Sequence, residues 1–112
     1  MSAAPSPGRP VRGSRTGRPV MALLDLLGRR WSLRVLWELR DDATPSFREL
    51  QARCGDISSS VLNDRLRELR EAGIVDAEPT GGYRLTREGH ELLDSLAPID
   101  AWARRWARRT AG

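Results

Sequence analysis

A chain of 112 residues has room for one small domain with a modest core, and not for two. All 19 of its basic residues are arginines, set against 15 acids, and the net charge of +4 is unevenly spread: residues 1–19 hold four arginines and no acid, while residues 20–103 hold eleven arginines and fifteen acids. A uniformly basic surface is thereby excluded, so any polyanion has to be met by local patches and tails, such as the closing cluster Arg104, Arg105, Arg108 and Arg109.

The opening "MSAAPSPGRPVRGSRTGRPV" is rich in Pro, Gly, Ser and Arg and has no apolar period. It cannot offset the entropy of ordering, and residues 1–19 are expected to form a disordered basic arm ahead of one domain over residues 20–112. From Val20 the pattern changes. Val20, Leu23, Leu24 and Leu27 share a helical face up to Gly28 and predict a first helix.

Trp31, Val35, Leu36 and Leu39 mark a second helix, apolar over a broad face and expected to be the buried central one, with Trp37 also on it. It stops in "DDATP", where Pro45 forbids continuation. "SFRE" then reads as a capping box: Ser46 accepts an amide of the first turn and Glu49 reaches back. The third helix carries Phe47, Leu50 and Cys54 on one stripe, which makes Cys54 a small core residue.

"CGD" turns the chain, Ser58 is a good N-cap, and a fourth helix buries Leu62, Leu66 and Leu69 before Gly73 stops it. "IVDAEPTGGYRLT" reads as two short strands about a Pro-Thr-Gly-Gly turn. From Thr86 a last helix runs with Leu92, Leu93, Leu96, Ile99, Trp102 and Trp106 on its apolar side, kinked or restarted at Pro98. The fold class is therefore mainly α with a small β-hairpin.

Helices three and four are joined by a tight glycine turn, and the apolar anchors of the fourth lie toward its C-terminal half. That is the arrangement of a helix-turn-helix, whose second helix offers its first turns to the major groove. Ser59, Ser60, Asn63 and Arg67 fall at spacings of three and four, on a face roughly opposite the leucines. Small hydroxyls permit close approach to phosphates, Asn can read adenine, and Arg can read guanine or bind a phosphate. A hairpin directly after such a helix is the wing of a winged helix. Trp102 and Trp106, four apart, form a stripe that so small a domain leaves partly exposed and that a two-fold interface buries.

Catalysis has little support. There is no lysine for a Schiff base or a P-loop, and no local motif pairs a histidine with a nucleophile. With Cys54 and His90 each the only one of its kind, neither a disulfide nor a metal site is expected, and no cofactor. No segment resembles a secretory signal and "VMALLDLLG" is too short to span a bilayer, so a cytoplasmic protein without a membrane partner is expected.

Together "LLGRRWSLRVLWEL", "SFREL", "ISSSVLNDRLRELREAGIV" and "YRLTREGHELL" resemble the HxlR-type winged-helix transcriptional regulators, small bacterial DNA-binding proteins related to the MarR type. Gly28, Arg30 and Trp31 match the family's Gly-Lys-Trp entry to its second helix. Arg48, Glu49 and Leu50 match the third helix; Ile57, Ser58, Leu62, Leu66, Leu69, Gly73 and Val75 match the recognition helix and its exit; Tyr83, Leu85, Thr86 and Gly89 match the wing return. The resemblance implies a winged helix-turn-helix, a three-helix core with wing flanked by N- and C-terminal dimerisation helices. It implies a homodimer with two recognition helices, each about residues 58–72, in successive major grooves of a pseudo-palindromic operator in double-stranded DNA.

On this reading Ser58, Ser59, Ser60, Asn63 and Arg67 read or position on the groove, Arg30 and Arg48 hold phosphates, and Arg84 serves the wing. Leu23, Leu27, Leu96, Ile99, Trp102 and Trp106 form the dimer contact. Arg18 stands where several members carry a cysteine, which some use to sense oxidants, Ser60 where a basic residue is frequent, and the wing tip "EPTGG" holds an acid and no base. A competing expectation is a winged-helix protein-interaction module that has lost specific DNA binding. A small-molecule effector held between the dimer helices is compatible with the first reading, and its identity is not written in the sequence.

Overall fold

The computed structural model describes residues 18–111, so residues 1–17 of the expected arm lie outside the described residues. Five helices and one hairpin follow in order: α1 (Pro19–Leu27), α2 (Ser32–Glu38), α3 (Phe47–Cys54), α4 (Ser59–Glu71), β1 (Val75–Ala77), β2 (Tyr83–Leu85) and α5 (Arg87–Thr110). The mainly helical fold with a small antiparallel hairpin is as expected.

Pro19 opens α1 at the first helical position, where its missing N–H leaves nothing unpaired. The helix buries Ala22, Leu26 and Leu27, while Val20 and Leu24 stay exposed. The turn into α2 passes through Trp31 in a left-handed conformation (φ 77°), which a bulky side chain adopts only when its surroundings enforce it. Here the indole packs against the core.

α2 is short but central: Val35 and Leu36 are fully buried and Leu39 nearly so. Removing one such leucine to alanine costs about 2–5 kcal/mol. Trp37 differs from expectation, being about half exposed, because on so short a helix the face opposite Val35 and Leu36 is left to solvent. The Arg40 guanidinium covers its ring at 4.0 Å from the centroid.

The capping box of α3 forms in both directions, with the Glu49 amide donating to Ser46 Oγ at 3.1 Å and the Ser46 amide to Glu49 Oε1 at 3.0 Å. Leu50 and Cys54 are buried, and Phe47 packs partly against the core. The Val61 amide donates to the Ser58 hydroxyl at 3.2 Å to start α4, whose Leu62, Leu66 and Leu69 close the core from below.

Gly73 (φ 77°) then releases the chain: its amide bonds the Arg70 carbonyl at 3.0 Å and the Ile74 amide bonds that of Leu69 at 2.9 Å, the left-handed stop that glycine permits. Val75 pairs with Leu85, Asp76 with Arg84, and Ala77 with Tyr83. The Tyr83 amide also donates to the Pro45 carbonyl at 3.0 Å, tying the wing to the segment before α3.

Thr86 is the hinge between wing and last helix. Its hydroxyl donates to the Gly73 carbonyl at 2.6 Å and accepts from the Gly89 amide at 3.1 Å. A side chain at Gly89 would meet the Ile74 carbonyl at 2.3 Å, so only glycine lets α5 start this close to the hairpin. The expected restart at Pro98 is not found: α5 runs as one helix of 24 residues through it. The proline removes one ladder bond and crowds the carbonyl of Asp94, four residues back, and the helix continues on the remaining bonds of the ladder.

Candidate nucleic-acid interface

The joint between α3 and α4 is built at Gly55, whose φ of 86° turns the chain within a few residues. Gln51 braces it: its amide nitrogen donates to the Ile57 carbonyl at 3.3 Å and to Ser59 Oγ at 3.0 Å. Sequence reasoning missed this brace, since nothing in the spacing of Gln51 distinguishes it from a solvated residue.

The start of α4 is open. Ser58, Ser59, Ser60 and Asn63 are all exposed, and Asn63 has no partner among the described residues, so its amide is free to read a base edge. Ser58 is committed to its capping bond and lies 3.4 Å from Ser60 Oγ. Arg48 is exposed and unpaired among the described residues, and it shares with Gln51 and Ser59 a concavity of about 490 Å³ over the turn. The structure thus brings Arg48 to one rim of a concavity with Ser59.

Three other arginines are placed differently. Arg67 is on the expected face but lies 3.6 Å from Asp64 and 3.5 Å from Glu71. Arg84 on β2 lies 3.5 Å from Asp76 and bonds Glu78 as well. Arg30 projects from the α1–α2 turn, its guanidinium 5.8 Å over the Trp31 ring, and its backbone carbonyl accepts from Arg65 at 3.4 Å.

The proposed dimer residues separate into two groups. Leu27 is buried in this chain's own core and Leu23 packs partly against it, so neither is offered whole to a partner, whereas Val20 and Leu24, one turn earlier, are a little over half exposed. Ile99, Trp102 and Trp106 are all about half exposed, and the two indoles stack with centroids 6.0 Å apart. Leu96 lines a mainly apolar cleft of about 420 Å³ between α2 and α5, together with Leu33, Trp37 and Leu93. Leu33 and Trp37 extend the exposed apolar surface beyond what periodicity alone indicated.

His90 holds Asp42 Oδ1 at 2.8 Å, joining α5 to the loop after α2. Among the described residues no cluster of His, Cys, Asp or Glu has the arrangement to hold a metal ion, and no helix is long and apolar enough to cross a membrane.

Two helices meeting at a glycine turn, with the second open at its start and followed by a hairpin, define the winged helix-turn-helix class. Within that class the chain belongs to the HxlR-like helix-turn-helix family, whose model matches residues 26–111. It is 33% identical over 89 residues to YvaP, an HTH-type transcriptional regulator of Bacillus subtilis, covering 74% of this chain and 82% of that one. Among solved structures it is similar to quinone-bound YodB of B. subtilis (30% identity, TM-score 0.71, 77% of this chain and 94% of that one). It is likewise similar to a MarR-family transcriptional regulator of Enterococcus faecalis (31% identity, TM-score 0.72, 82% and 88% covered). The protein is a transcriptional regulator of the HxlR family.

Proposed function

We propose that this regulator binds a pseudo-palindromic operator as a homodimer in the cytoplasm, with residues 58–72 of each copy in a major groove. The observation that carries the reading is the open first turn of α4, where Ser58, Ser59, Ser60 and Asn63 are exposed while the leucines that anchor the helix sit further on. Ser59, Ser60 and Asn63 read base edges; Arg67 reads a base once it exchanges Asp64 and Glu71 for DNA; Arg48 and Arg30 hold phosphates. Residues 20–112 form the DNA-binding and dimerisation domain and residues 1–19 a basic arm. The exposed Val20, Leu24, Ile99, Trp102 and Trp106 support a two-fold contact through α1 and α5.

A second reading, a winged helix that binds protein instead of DNA, draws on one observation: Arg67 and Arg84 are both already paired with carboxylates of their own chain. Fluorescence anisotropy with DNA from the gene's upstream region, at two salt concentrations and with scrambled competitor, separates the two. Specific binding that weakens steeply with salt supports the operator reading. No binding at low salt, to this DNA or to any duplex selected from a random pool, overturns it in favour of the second.

A further inference from the structure

Glu68 is a carboxylate inside the protein. It faces inward from α4, 2% exposed, and is gripped from two sides. Arg29, 39 residues earlier on the α1–α2 turn, donates to Oε2 at 2.7 Å. Arg65, on α4 itself, donates to Oε2 at 3.4 Å, and its Nε lies 3.0 Å from Oε1 as an ion pair without hydrogen-bond alignment.

The two guanidiniums are themselves fixed. Arg65 donates to the Arg30 carbonyl at 3.4 Å, and Arg29 lies 3.5 Å from Asp25 of α1. With side-chain exposures of 12% and 16%, neither arginine is a solvated surface charge.

Leucine burial and this clasp hold a helix in different ways. Apolar burial is non-directional, so Leu62, Leu66 and Leu69 hold α4 on the core by buried area and fit, without a bond of set direction. A charge-assisted bond to a planar guanidinium has a preferred distance and direction, and a buried carboxylate has no water to turn to when that bond is lost. Glu68 lies five residues beyond Asn63, well round the helix from it, so fixing one sets the direction of the other.

We propose that Glu68 is a positioning residue for DNA reading: gripped by Arg29 and Arg65, it sets the roll and axial register of α4 so that Ser59, Ser60 and Asn63 meet base edges in one orientation. The inference rests on the operator reading above. Its signature is loss of discrimination between sequences, not loss of contact with phosphates.

The test uses the full chain and a duplex that the wild-type protein selects from a random pool, with a scrambled duplex as reference at the same salt. Glu68→Gln should lower the affinity ratio of selected to scrambled DNA by about tenfold, within the range a base contact contributes, while affinity for scrambled DNA stays within about twofold. Since Glu68→Gln leaves a buried donor without a full partner, a second variant, Arg29→Met with Glu68→Met, removes both ends of the long-range pair together, at a cost in stability set by Arg65, which loses its carboxylate. Circular dichroism and thermal melting establish that it is folded, and its discrimination should be as low as that of Glu68→Gln.

A folded double variant that discriminates like wild type overturns the proposal and leaves the clasp a packing feature. Failure of the wild-type protein to select any sequence sinks the operator reading and this inference with it. Selection by wild type with discrimination intact in the variants removes this inference alone.

Discussion

Asp76 and Arg84 stand directly opposite each other across the two-stranded ladder, with Arg84 Nη2 3.5 Å from Asp76 Oδ2. Glu78 engages the same guanidinium, so the wing's arginine meets two carboxylates before it meets any phosphate. Exposed pairs of this kind contribute about 0–1 kcal/mol each, little to stability, but DNA has to displace them. Arg84→Ala should therefore change DNA affinity by less than about twofold. Asp76→Asn with Glu78→Gln should tighten binding a few-fold and steepen the salt dependence by about one unit of slope. Anisotropy titrations over a salt series measure both.

Arg48 and Arg67 should fail differently. Arg48→Ala removes a cation unpaired among the described residues and is expected to weaken binding uniformly across sequences, lowering the salt slope by about 1. Arg67→Ala should cost roughly 1–3 kcal/mol on the selected operator and little on scrambled DNA. An Arg67→Ala protein with unchanged operator affinity would remove Arg67 from the reading face.

Trp102 and Trp106 are predicted to carry the association of two copies. Truncating a buried interfacial tryptophan commonly costs about 2 kcal/mol or more, so Trp102→Ala with Trp106→Ala should raise the dimer dissociation constant by well over tenfold. Sedimentation velocity over a concentration series reads this directly. A double variant that sediments like wild type would place the contact elsewhere.

Gly89→Ala tests the seat of α5 on the wing. With the Ile74 carbonyl 2.3 Å from where the methyl would lie, backbone has to move, and a loss of about 1–3 kcal/mol is expected in thermal or urea unfolding.

Cys54 should be inert in the native protein. Burial pushes its thiol above the ordinary value of 9.0 and the Glu38 carboxylate adds to this, against a smaller opposing effect of Arg34. The folded state therefore holds the proton more tightly than the unfolded chain does. The stability this gives is complete below pH 9.0 and is lost as pH rises through the folded value. An aromatic disulfide reagent at neutral pH should label the denatured chain promptly and the native chain at least tenfold more slowly.

What the sequence disclosed and what it withheld follow from range. The Ser46–Glu49 box, the Ser58 cap, the leucine stripe of α4 and the Gly73 stop are each settled within one or two turns of chain, and all were legible. The Arg29–Glu68 clasp joins residues 39 apart, and no local pattern distinguishes those two charges from solvated ones. The pairing of Arg84 depends on ladder register, known only once Tyr83 is set opposite Ala77. On α1 the period gave a stripe correctly but not its width: Leu27 falls on the core side and Leu24 outside, a distinction made by where α2 lies. The exposed start of α4 was legible as a pattern, and the freedom of Asn63 within it needed the structure.

The unbroken run of α5 through Pro98 has a metric meaning. At 1.5 Å per residue its 24 residues make a rod of about 36 Å, comparable to the roughly 34 Å between successive major grooves on one face of DNA. In a two-fold pair crossing along this rod, moving the crossing point by one helical turn shifts equivalent points of the two copies by about 11 Å, a third of the groove repeat. In the two-fold pair proposed above, the stacked indoles at Trp102 and Trp106 would do more than adhere: by fixing where two rods cross, they would calibrate the span between reading heads.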